Sequence, residues 1–85
     1  LENIIFKYQL TDSINRIAAG KPLHVAFQKG DLVLWVEHET DTFAVGNDME
    51  IVVTGTGHEF DAEPLDYIGT AVSDTFVWHV YQIKQ

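Results

Sequence analysis

His58 and Glu59 follow Gly55-Thr56-Gly57, a turn in which two glycines permit positive φ and let the backbone approach a ligand. Such a turn can present N–H groups to an anion. The phosphate-binding loops, however, use a different spacing and a lysine. Asp61, Glu63 and Asp66 follow closely and would repel phosphate, so the turn reads first as a structural corner. Four histidines, His24, His38, His58 and His79, invite a metal reading beside neighbouring carboxylates. No two of them have the i,i+2 spacing of a strand or the i,i+4 spacing of a helix that makes a ligand pair local, so no metal site is expected. Below neutral pH the same rings gain charge and offset the acidic excess, which ties any pH-dependent association to them. Ser13 and Ser73 lie outside any nucleophile-elbow pattern. Asp61 and Glu63 would act as acid and base only if burial split their pKa values, and acids clustered on a loop are usually solvated. The expectation is a protein without catalytic residues, metal or cofactor.

The segments that must position these residues read as strands. From Asn3 to Leu10, Ile4, Phe6, Tyr8 and Leu10 alternate with Ile5, Lys7 and Gln9. Ser13 to Ala19 is open between a short capped helix and an extended segment. Leu23 to Gln28 alternates again, Leu32 to His38 is apolar on both faces, and Lys29-Gly30-Asp31 between them is a hairpin signal. Glu39 to Asp48 is a long polar loop anchored by Phe43 and Val45. Met49 to Gly55, Tyr67 to Val72 and Phe76 to Ile83 complete the strands, with one helical turn expected over Ala62 to Asp66. About six strands in one domain spanning 1–85 predict an all-β or β-rich α+β fold, a small antiparallel sandwich or partly open barrel. The segments Leu32 to His38 and Phe76 to Ile83, apolar on both sides, belong in the middle of their sheets or against a partner subunit. Trp35, Trp78, Tyr67, Tyr81 and Phe76 read as core. If His79 and Tyr81 instead face outward beside Val77, they form an amphipathic patch of the kind enriched at interfaces.

With 85 residues the chain has room for one modest core, about 60% of its unfolded surface being buried on folding. It has no cysteine, which removes disulfides, thiolate zinc sites and cysteine nucleophiles. Its apolar runs fall far short of the ~20 residues a membrane helix needs, and no basic segment followed by an apolar one opens it, so no secretory leader is expected. The formal charge of −8 is unevenly spread: eleven acids and no Lys or Arg lie between Lys29 and Lys84. A contiguous acidic surface repels nucleic-acid phosphates and attracts basic proteins.

The segments Gly55-Thr56-Gly57-His58, Tyr67-Ile68-Gly69-Thr70 and Val77-Trp78-His79-Val80-Tyr81, taken in that order, resemble a family of small uncharacterised proteins encoded mainly by bacteriophages and prophages. The opening Phe6-Lys7-Tyr8-x-Leu10 and Val25-x-x-Gln28-x-Gly30-x-x-x-Leu34-Trp35 belong to the same pattern. The chain departs from it over Ser13 to Pro22, where a clearer Pro-Gly turn is usual, and in a longer loop from Asp41 to Asp48. The resemblance implies phage or prophage origin and expression in the host cytoplasm. It implies no reaction. The leading expectation is a non-catalytic accessory protein whose acids occupy a basic host protein, as an inhibitor or nucleic-acid mimic would. Glu37, Glu39, Asp41, Asp48 and Glu50 would make the contact, with Glu59, Asp61 and Glu63 on a second loop. One alternative is a nucleotide- or metabolite-binding protein with a pocket of His58, Trp78 and His79. Another is a structural or virion-associated module, for which a homo-oligomer would speak.

Overall fold

The computed structural model describes residues 2–43 and 45–85. Seven strands follow one another: β1 (Asn3–Gln9), β2 (Ile14–Ala18), β3 (Lys21–Gln28), β4 (Asp31–Glu39), β5 (Asp48–Gly55), β6 (Leu65–Val72) and β7 (Val77–Ile83). All pairings are antiparallel and make two sheets, a three-stranded one in the order β1-β4-β3 and a four-stranded one in the order β2-β5-β7-β6. The expected all-β sandwich is what forms, with one strand more than the sequence suggested and no helix among the described residues.

The extra strand is β2. Asn15, two residues after Ser13, is buried, and its side chain accepts from the N–H groups of Thr11 and Asp12 and donates to the Asp12 carbonyl. That closes the β1–β2 link without a helical turn. The segment's backbone groups then go to β5, in a register that sets Ile17 opposite Met49 and Arg16 opposite Glu50. The helical turn expected over Ala62 to Asp66 is also corrected. Leu65 N–H donates to the Ala62 carbonyl across one turn at Glu63-Pro64, and pairing with β7 begins at Leu65. A lone turn of that kind gives way to the ladder because the ladder satisfies a backbone bond for every further residue fixed.

The two strands apolar on both faces are interior strands: β4 lies between β1 and β3, and β7 between β5 and β6. Leu34 and Val36 of β4 meet Met49 and Ile51 of β5 and Val80 of β7, all fully buried, with Val25 and Ala71 closing the same cluster. Each such aliphatic side chain stabilises the fold by about 1.5–3 kcal/mol relative to exposure. The hairpin β3–β4 turns through Lys29 and Gly30 at φ of 53° and 84°. Positive φ at both central residues is the requirement of a two-residue type I′ turn, and this turn sets Gln28 opposite Asp31. Pro22 sits in β3 beside a bulge on an edge strand, where its missing N–H leaves no ladder bond unmade.

One polar group ties the three-stranded sheet to the β2–β3 link. His38, at the inner end of β4 and 2% exposed, has Nδ1 3.0 Å from the Ala19 carbonyl and Nε2 2.8 Å from the Tyr8 hydroxyl. Burial pushes the Tyr8 phenol above its ordinary value of 10.0. The folded state therefore holds the neutral phenol while the unfolded chain ionises first. This contribution to stability is complete below the unfolded pKa and is lost as pH rises through the folded one. Urea melts between about pH 9 and 11 should show the wild type losing stability more steeply than Tyr8→Phe. Equal slopes would remove Tyr8 as the source of the alkaline loss.

Candidate functional site

Register decides which side chains the four-stranded sheet turns outward. Val80, Trp78 and Ile51 pack inward, so Val77, His79, Tyr81 and Ile83 of β7 face out, as the conditional reading of this strand required. Their partners on β6 are Val72, Thr70, Tyr67 and Leu65, brought to this face by a register shift between Tyr67 and Gly69 that places Ile68 against the core. Val52 and Thr54 of β5 lie opposite Tyr81 and His79. These residues carry no formal charge; further along the same face, toward β2, Glu50 stands opposite Arg16, both exposed.

The face is apolar, aromatic and held in place. The Tyr67 and Tyr81 rings meet edge to face at 5.3 Å, and Phe60 from the β5–β6 link packs on Tyr81 at 5.1 Å. Tyr67 is 59% exposed and Val72 69%. His79 anchors a chain of hydroxyls, with Nε2 2.8 Å from Thr56 Oγ1, Nδ1 3.0 Å from Thr70 Oγ1, and Thr70 Oγ1 2.5 Å from the Tyr67 hydroxyl. Because hydroxyls both donate and accept, this chain fixes the His79 and Tyr67 rings whichever ring nitrogen carries hydrogen. The Gly55-Thr56-Gly57-His58 corner supplies Thr56 through a turn closed by His58 N–H to the Gly55 carbonyl, with Gly57 at φ 88°.

The eight acids expected to bind a partner divide between the two sheets. Glu59, Asp61 and Glu63 lie on the β5–β6 link, Glu59 and Asp61 next to Phe60 in sequence, whose ring packs on Tyr81. Asp48 and Glu50 stand on β5, where Glu50 is 3.9 Å from Arg16. Glu37 and Glu39 belong to β4 in the other sheet, and Asp41 to the loop after it; Glu37 accepts from Asn3 Nδ2 at 2.6 Å. Glu37 and Glu39 also edge a groove of about 470 Å³ over His38 and Phe43, together with Lys21 and Asn3. The three residues of the ligand alternative divide too. Trp78 faces inward, stacks on Phe76 and lines a separate groove of about 390 Å³, His58 lies with Trp78 against Gly55, and His79 faces out on the opposite side of β7.

Sequence reasoning missed Phe60 and read Tyr67, Tyr81 and Phe76 first as core, whereas Tyr67 and Tyr81 face outward and Phe76 is exposed. Tyr81 and His79 were legible from strand parity alone. Tyr67 was not, because a bulge one residue further on reverses the parity of β6. No group of three metal-ligating side chains occurs among the described residues.

The family model described as Domain of unknown function (DUF7352) matches residues 2–85, and the chain belongs to that family. No curated protein and no solved structure matches it.

Proposed function

We propose that this DUF7352 domain is a non-catalytic binding module that docks a basic protein on the outer face of its four-stranded sheet. The observation that carries the reading is an aromatic sheet face over β7 and β6, fixed by the His79 hydroxyl chain and packed on by Phe60 from the link that carries Glu59, Asp61 and Glu63. Stable interfaces have this anatomy, with tyrosine-rich centres depleted of charge and a polar rim. The rim steers a cationic partner, and the aromatic centre holds it. Phage or prophage origin, implied by the motif resemblance, makes that partner a host protein and the host cytoplasm the place of encounter.

Two variants separate the roles. In pull-downs from host lysate, the wild-type domain should retain a basic protein, and Tyr81→Ala should weaken retention about 30-fold or more at every salt concentration, the scale of a buried aromatic anchor. The combined Glu59→Lys and Asp61→Lys variant should lose binding at low salt and differ little at high salt, where exposed charges are screened. Retention of no basic protein at low salt would sink the reading, and so would a captured protein indifferent to Tyr81.

A further inference from the structure

We infer that β1 is a docking edge for a second copy of this chain, pairing β1 with β1 antiparallel about a two-fold axis at Ile5. Among the described residues no strand pairs with it beyond this edge of its sheet, and six of its seven residues are exposed. Ile4, Ile5 and Phe6 are 37%, 56% and 37% exposed, three consecutive large apolar residues on an open edge. A long, flat apolar edge is a template for strand addition.

The hydrogen bonds show which groups are on offer. Glu2 carbonyl accepts from Thr40 N–H, and Leu10 N–H donates to the Leu32 carbonyl. In an antiparallel ladder bonding alternates, so the even-numbered residues between them engage β4. The N–H and C=O groups of Asn3, Ile5, Lys7 and Gln9 are left directed at the free edge. The usual guards are missing from this edge. The β1–β4 register runs without a bulge, the strand holds no proline, and Lys7 lies back across the sheet with Nζ 2.5 Å from Gln28 Oε1. The remaining edges are blunted: β3 and β6 carry register shifts and run against each other, and β2 has five residues.

Charge selects the occupant and the register. Centring on Ile5 places Ile5 against its own copy, Ile4 against Phe6 on the inner face, and Lys7 against Asn3. Asn3 lies beside Glu39 and holds Glu37, so a Lys7 side chain that turns from Gln28 to the edge meets the acidic end of the other copy's β4. Centring on Lys7 would instead oppose two lysines. The chosen register joins two three-stranded sheets into one of six strands. It uses neither the aromatic face nor its rim.

Sedimentation equilibrium of the wild-type chain, from micromolar to millimolar concentration, should give a monomer–dimer equilibrium that strengthens with salt, because each copy carries −8 and screening reduces their repulsion. Docking of a basic partner has the opposite salt dependence. Ile5→Lys, at an exposed site, should weaken dimerisation about tenfold or more by opposing two like charges across the axis, with an unchanged melting curve for the monomer. In this cysteine-free chain, Ile5→Cys should oxidise to a linked dimer, since directly paired residues stand about 5.5 Å apart. Gln9→Cys should not, its two copies being separated by more than about 20 Å. A monomer at all concentrations, a dimer indifferent to Ile5→Lys, or equal cross-linking of the two cysteine variants would overturn the proposal.

Discussion

His38→Ala is expected to lower the unfolding free energy by about 3 kcal/mol, moving the thermal midpoint down by roughly 12–24 °C in a domain of this size. A carbonyl only accepts, so the contact with Ala19 requires hydrogen on Nδ1, and in the neutral ring Nε2 then accepts the Tyr8 hydroxyl proton. The ring also stacks on Phe43 at 4.8 Å and meets Tyr8 and Phe6 edge-on or tilted at 5.8 and 5.9 Å. Alanine removes all of this together, leaving a cavity among three aromatic rings and two polar groups without a partner. His38→Phe separates the contributions by restoring volume without hydrogen bonds, and it should recover about half of the loss. Urea melts followed by tryptophan fluorescence measure both. A loss below about 1 kcal/mol for the alanine variant would mean that the surroundings collapse onto the gap or that water replaces the ring.

How far the sequence discloses this fold depends on the range of the interaction that decides each feature. The alternation of β1, the turn at Lys29-Gly30 and the interior position of β4 and β7 are local or composition-borne, and all were legible. The Ser13 to Ala19 segment was not, because Ile14 and Ile17 suit a helix face and a strand about equally. What decides between them is Asn15 capping the link and β5 offering a ladder from another part of the chain. The acids show the same limit. Eleven of them in one stretch of sequence reads as one surface, yet antiparallel topology sends Glu37 and Glu39 to one sheet and Glu50 to the other. The aromatic face emerges only once β6 is registered on β7. His38 was visible only as one of four histidines, since nothing near it in sequence announces that Tyr8 and Ala19 close around it.

Gly20→Ala is expected to destabilise by about 2–3 kcal/mol, the scale of overpacking in a dense interior. A methyl group there would stand 2.6 Å from His38 Nδ1, 2.7 Å from the Glu37 carbonyl oxygen and 2.7 Å from Val36 Cγ1. Two of these neighbours are side chains that can be changed, while the carbonyl belongs to the ladder of a central strand and can yield only with the sheet. The effect therefore couples to His38. Pushing the ring away breaks its bond to Ala19, so part of the cost of Gly20→Ala is the loss of the same interaction that His38→Ala removes. In the double variant this share is counted once and the ring no longer opposes the methyl group. The double loss should fall short of the sum of the single losses by about 1 kcal/mol, above the few tenths expected of independent sites. The clash with the Glu37 carbonyl persists without the imidazole, so Gly20→Ala should still cost about 1–2 kcal/mol in the His38→Ala background. Melts of the four proteins of this cycle in one buffer decide the matter. Additive losses would show that Gly20 is required by the β4 backbone alone, and a zero cost in the His38→Ala background that the imidazole alone excludes a side chain there.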